Sequence, residues 1–197
     1  VVGPSGSVTF AEIARVWHRN PEELPVDVDP AGVEVTSGFR PTPDNSPFSY
    51  ATHACVVAVD PELGQVEILD YVISEDCGTI VNPMIVDGQI IGGALQGVGT
   101  ALFEESRYDE AGQPLSSTFA DYTMPGSTHL PNLRLDHLVT PSPLTEYGVK
   151  GLGEGGAIPP PAAIANAVND ALRAYGVEVR ETPITPRRVL EKICPVK

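Results

Sequence analysis

The chain has 197 residues, 42% of them hydrophobic, which is enough for a packed core and too apolar for a globally disordered chain. Its formal net charge is −14, so phosphate backbones and anionic lipid surfaces repel it, and nucleic-acid binding is excluded as the leading reading. There is no run of about 18 apolar residues to cross a membrane and no visible secretion leader. Gly and Pro number 19 and 20, which predicts many turns without low complexity.

In chain order, residues Val8–Arg19 carry Phe10, Ile13, Ala14, Val16 and Trp17 near helical spacing, with Thr9 as the N-cap. A Pro- and Asp-rich connector follows. Residues 33–39 read as a strand, and residues 40–47 (RPTPDNSP) as a loop. The runs His53–Val59 and Gln65–Ile73 flank Asp60–Gly64 (DPELG). Proline sets φ in that segment and glycine permits a positive φ, so the three pieces predict a β-hairpin.

Residues Asn82–Glu105 read as a helix with two faces. Ile91, Leu95, Val98 and Leu102 form an apolar face. Gln89, Gly92, Gly93, Gln96 and Thr100 fall within roughly 100° of arc opposite. Each interior glycine costs about 1 kcal/mol against alanine, so Gly92, Gly93, Gly97 and Gly99 need a reason. Close approach of another backbone is one. Close approach of a ligand, with the glutamine amides beside it, is the other.

Tyr108–Gln113 reads as a turn, Arg134–Val139 as a strand and Thr140–Gly156 as an irregular loop. Pro159–Pro161 opens a helix over Ala162–Tyr175, which Gly176 ends. A strand-like stretch, VEVRETPIT, precedes a short helix over Pro186–Ile193. Helices and strands mix without strict alternation, so the expected fold class is α+β: mixed sheets with packed helices. The whole chain, 1–197, is taken as one domain or a large piece of one.

Few residues stand out chemically. Cys55, Cys77 and Cys194 form no C-x-x-C pair, and the four histidines lack metal-ligand spacing. Unpaired thiols fit a reducing compartment, so a cytoplasmic location is expected. There is no P-loop and no G-x-S-x-G elbow. The run G-V-G-T-A-L lies inside a helical pattern and is discounted as a dinucleotide fingerprint. Glu154 is different: Gly151, Gly153, Gly155 and Gly156 surround it, and a helix N-terminus follows. Glycines let a backbone approach a bulky group, so Glu154 is either a general base held against a ligand or an exposed loop residue.

Five segments in order resemble a known family: FSYATHACVVAVD (Phe48–Asp60), EDCGTIVNPMIVDGQIIGGALQGVGTALFEE (Glu75–Glu105), ADYTMP (Ala120–Pro125), TPSPLTEYGVKGLGEGGAI (Thr140–Ile158) and PAAIANAVNDAL (Pro161–Leu172). They resemble the C-terminal part of the molybdopterin-binding large subunit of the molybdenum hydroxylases, the xanthine dehydrogenase, aldehyde oxidase and aerobic carbon monoxide dehydrogenase family. The resemblance runs over nearly the whole chain.

It implies that Glu154, in the K-G-x-G-E segment, is the catalytic carboxylate. This base would deprotonate a molybdenum-bound hydroxyl for attack on an electron-poor carbon of a heterocycle, an aldehyde or carbon monoxide. It also implies cofactor contacts from Gln89 in the D-G-Q motif, from Gln96 on the same face, and from Gly151, Gly153 and Gly155, with no metal ligand in this chain. The implied cofactor is molybdopterin, in its cytosine dinucleotide form. A [2Fe–2S] cluster and FAD would lie on partner subunits or domains, and the remaining part of the molybdopterin-binding subunit would complete the site. The alternative is a non-catalytic assembly or binding module of such a complex.

Overall fold

The computed structural model describes residues 1–32, 34, 36–38, 47–129 and 131–194. The strand expected over 33–39 and the loop over 40–47 fall largely outside these residues. The chain divides into two compact units, Val1–Pro43 and Asp44–Lys197.

In the first unit, β1 (Val2–Gly3) and β2 (Gly6–Ser7) form a small antiparallel hairpin. Helix α1 (Phe10–Arg19) starts at the expected cap. Thr9 Oγ1 accepts from the Glu12 N–H at 3.2 Å, and the Glu12 carboxylate accepts from the Thr9 N–H at 2.8 Å. This reciprocal box satisfies two backbone donors that a helix start leaves unpaired.

In the second unit, β3 (Tyr50–Val59) and β4 (Val66–Asp76) form the predicted hairpin, with a register shift between Val56 and Val57. Asp60 holds the turn. Its side chain accepts from the Glu62 and Leu63 amides, and Gly64 sits at φ 70°. β4 runs three residues past the expected end at Ile73, because pairing with β3 continues to Tyr50↔Asp76. β5 (Leu133–His137) lies on the other side of β4, parallel to it, from Tyr71↔Leu133 to Glu75↔His137. The order β3-β4-β5 places β4, and with it Glu75 and Asp76, in the middle of the sheet.

Three helices complete this unit: α2 (Pro83–Leu102), α3 (Pro160–Leu172) and α4 (Pro186–Ile193). The core joins Tyr71 and Ile73 of β4 with Ile90, Ala94, Val98 and Ala101 of α2 and Ile164, Val168 and Leu172 of α3. Mixed sheet and packed helices together make the α+β fold that the sequence predicts.

Two expectations need correcting. On α2, Val98 and Leu102 are buried as expected, but Ile91 and Leu95 are only half-buried. The buried stripe runs instead through Ile90, Ala94, Gly97 and Ala101. Small residues there let the α2 backbone come close to its neighbours, whereas hydrophobic periodicity follows the large side chains. The stretch VEVRETPIT forms no strand. Its backbone groups are taken by the Asn169 amide, which bonds the Val179 N–H and C=O at 2.8 and 3.0 Å, and by Ala101 C=O, which accepts from Ile184 N–H.

Candidate functional site

The loop that carries Glu154 is stitched to the end of β4. Thr79 N–H donates to Gly148 C=O at 3.0 Å and Lys150 N–H to Cys77 C=O at 2.9 Å. A short parallel bridge joins Phe48 to Gly151. Beyond it the chain turns sharply, and Glu154 C=O accepts from the amides of Ala157 and Ile158 at 2.9 and 3.2 Å. Helix α3 begins two residues later.

A buried ion pair anchors the start of this loop. Asp76 is fully buried, and its carboxylate accepts from Lys150 Nζ at 3.1 Å, Gly78 N–H at 2.8 Å and Tyr50 Oη–H at 2.9 Å. Lys150 Nζ also lies 4.6 Å from the centre of the Tyr50 ring. Burial alone would raise the Asp76 pKa. The donors around it, from Thr140, Gly78, Lys150 and Tyr50, outweigh burial and hold it well below the usual carboxylate range. Such a pair is costly to break, since either partner alone would be a buried, unpaired charge.

Helix α2 holds the other side of the turn. Gln89 Nε2 donates to Gly153 C=O at 2.7 Å, so this glutamine touches the loop one residue before Glu154. The two backbones meet just beyond. A Cβ on Gly93 would lie 2.9 Å from Ala157 N, one on Gly97 would lie 2.7 Å from the Pro160 ring, and one on Gly156 would collide with the Ile90 carbonyl. Close backbone approach therefore accounts for Gly93 and Gly97. Gly99 is likewise crowded by Glu104 and Pro125.

It does not account for the rest. Among the described residues, a Cβ on Gly88, Gly92, Gly151 or Gly153 would meet nothing within 4 Å. Gly88, Gly92, Gln96 and Thr100 line the exposed side of α2 together with Gln89. Packing among the described residues thus leaves an open strip of glycine, amide and hydroxyl groups beside the loop. Glu154 is exposed and borders a cavity of about 430 Å³ walled by Phe48, Tyr50, Ala51, Gly151 and Ile158.

The structure brings Glu154, Gln89, Gly151, Gly153 and Gly155 into one neighbourhood. Gln96 sits two helical turns from Gln89 on the same exposed side, and its side chain makes no hydrogen bond to another described residue. Among the described residues, no group of three or more His, Cys, Asp or Glu side chains could hold a metal ion. No helix among the described residues is long and apolar enough to cross a membrane.

Sequence reading missed the buried carboxylates Glu75 and Asp76, the Asp76–Lys150 pair and the bond between His137 Nε2 and Asp87 Oδ1 at 2.7 Å. Continued alternation beyond Ile73 (Ser74 out, Glu75 in) is the one local signal that could have shown Glu75 facing the core.

Comparison with known proteins identifies the family. Residues 1–131 match the family model for the molybdopterin cofactor-binding domain. The chain is 41% identical over 194 residues to the nicotine 6-hydroxylase large subunit of Paenarthrobacter nicotinovorans, which covers 96% of the chain and 23% of that protein. Among solved structures, it is similar to quinoline 2-oxidoreductase from Pseudomonas putida 86, with 44% identity and a TM-score of 0.71 over 74% of this chain and 18% of that one. Reconstituted CO dehydrogenase from Oligotropha carboxidovorans gives 30% identity and a TM-score of 0.78 over 95% of this chain and 23% of that one. The chain spans about a quarter or less of the length of each of these relatives. It belongs to the molybdopterin cofactor-binding domain family of the molybdenum hydroxylases.

Proposed function

We propose that this chain is one part of a molybdenum hydroxylase's cofactor-binding subunit and that Glu154 is its catalytic base. The observation that carries the reading is the open strip beside Glu154. Helical glycine costs stability, yet among the described residues Gly88 and Gly92 face nothing, and Gly151 and Gly153 are equally unencumbered. A bulky, hydrogen-bonding group lying along α2 gives those residues a purpose. Molybdopterin fits the donors and acceptors present: the amides of Gln89 and Gln96, the Thr100 hydroxyl and the loop peptides.

When bound, the molybdenum that molybdopterin carries would supply an electron sink and an acidic oxygen nucleophile. Glu154 would serve as the proton acceptor beside it, holding the proton at a carboxylate oxygen, and the substrate would be an electron-poor carbon of a heterocycle, an aldehyde or carbon monoxide. Gln89 fixes the loop by its bond to Gly153, so the carboxylate stays within reach of the proton it removes. Phe48, Tyr50 and Ile158 give the cavity an apolar wall beside Glu154. The rest of the large subunit completes the site. In this reading the cofactor is the cytosine dinucleotide form, [2Fe–2S] and flavin carriers lie on partner subunits or domains, and the location is cytoplasmic.

The test is Glu154→Gln in the assembled enzyme. Molybdenum and pterin content stay at the wild-type level, while turnover falls by about 10²–10⁴-fold. Turnover close to wild type would refute the assignment of the base. Absence of molybdenum from the assembled wild-type protein would instead favour a non-catalytic assembly module.

A further inference from the structure

A second carboxylate lies behind the Glu154 turn, with nothing in the reading above to explain it. Glu75 is fully buried, and neither of its carboxylate oxygens has a hydrogen-bond partner among the described residues. Its neighbour Asp76 is equally buried but well supplied with donors, so the fold satisfies one of two adjacent carboxylates and leaves the other. A buried polar group without a partner is expensive and calls for an explanation.

A matching unpartnered atom stands opposite. His137 Nδ1 is buried and has no partner among the described residues. Glu75 and His137 pair directly in the parallel β4–β5 ladder, which puts their side chains side by side on one face of the sheet. The other ring nitrogen, Nε2, meets Asp87 Oδ1 of α2 at 2.7 Å. On its far side the Glu75 carboxylate supports the Glu154 turn: a Cβ on Gly155 would lie 2.8 Å from Glu75 Oε1. Glycine at 155 is what lets the turn rest there.

We propose that Asp87, His137 and Glu75 form a buried hydrogen-bonded chain, closed between His137 Nδ1 and the Glu75 carboxyl directly or through one ordered water, that positions the Glu154 turn. The proposal rests on the reading of Glu154 as the base. Both unpartnered groups are then satisfied. With Nε2–H donating to Asp87, Nδ1 accepts from the Glu75 side, where the carboxyl holds the proton. With the proton on Nδ1 instead, imidazolium stands between two carboxylates. The chain carries one negative charge in either form, so its proton can shift without altering the net charge beneath Glu154.

Burial pushes the Glu75 carboxyl up and His137 pulls it back, which favours sharing of that proton. Of the other titratable groups, Asp76 ends β4 beside Glu75 and Cys77 follows it, Tyr71 lies on the same face of β4 and bonds His53 of β3, Tyr50 of β3 and Lys150 of the loop both bond Asp76, and Glu154 precedes Gly155. Asp76 and Lys150 neutralise each other.

Two variants of the assembled, molybdenum-loaded enzyme test this: Glu75→Gln, and Asp87→Asn at the half-exposed end of the chain. Two readouts are needed. Hydrogen exchange at the Ala157 and Ile158 amides, both bound to Glu154 C=O, should speed up by about tenfold in each. The acid limb of the kcat–pH profile should be displaced and kcat should fall about tenfold or more, with KM within about twofold. A Glu75 that only fills space would leave the pH profile of Asp87→Asn where it was. Unchanged exchange at the two amides, or an unchanged pH profile, in a loaded variant overturns the proposal. If Glu75→Gln does not assemble, Asp87→Asn decides alone. Should Glu154→Gln retain activity, the base assignment fails while the exchange measurement still decides the positioning.

Discussion

At the residue scale, the glycines of α2 and the loop separate into two kinds by what surrounds them. Gly93 and Gly156 mark where helix and loop backbones touch, so Gly156→Ala must push Ile90 away. Such overpacking costs about 1–3 kcal/mol, seen as a lower Tm of the assembled subunit. Gly92→Ala meets no atom of a neighbouring element among the described residues and should raise intrinsic helix stability by about 1 kcal/mol. Its methyl would stand in the strip assigned to the cofactor, so the same variant should load less molybdenum. Equal loading with higher stability would argue that the strip is empty in the working enzyme.

The punctuation around Glu154 was legible because glycine's freedom is a local property of the sequence. The Asp76–Lys150 pair was not, because its members lie far apart along the chain and meet only through the pairing of β4 with its neighbours. Lys150→Met leaves Asp76 buried without its counter-ion and should cost about 3–5 kcal/mol. The folded Asp76 carboxyl lies below its unfolded value of about 3.9, so its contribution is present above that pH and is lost as pH falls through the lowered folded value. Asp76→Asn should therefore flatten the acid end of the stability–pH curve.

At the element scale, the hairpin, α3 with Gly176 in the left-handed conformation, and α4 were readable from turn chemistry and capping alone. α2 was found, but its buried face was misplaced. Periodicity weights Ile91 and Leu95, while the helix packs through Ala94, Gly97 and Ala101, whose small size matters more than their hydrophobicity. Residues Val177–Thr185 look like a strand because they alternate, yet no strand among the described residues pairs with them and Asn169 bonds Val179 instead. At Thr9, the cap of α1, replacement by alanine should cost about 1 kcal/mol of helix stability, measurable by thermal denaturation.

At the scale of the whole molecule, one sheet and the helices packed on it hold the Glu154 turn from three sides: the end of β4, the α2 backbone and the start of α3. Burial holds His53 down to about 4, below its ordinary value. The unfolded chain therefore takes up a proton near pH 6.5 that the folded chain refuses until about 4, and this share of stability is lost as pH falls across that window. The proposed function takes this chain as one portion of a larger catalytic subunit, in keeping with the quarter or less of its relatives' length that it spans. The portion by itself should retain molybdopterin poorly; a stable molybdenum stoichiometry near one on this chain alone would contradict the shared site.

The account turns on Glu154, and the most direct measurement is the single-turnover reduction of the fully loaded, assembled enzyme by its substrate. Glu154→Gln should slow that reduction by about 10²–10⁴-fold and leave the substrate concentration for half-saturation nearly unchanged. Reduction within a few-fold of the wild-type rate would show that the proton goes elsewhere and that this carboxylate is only an exposed residue of a glycine-rich turn.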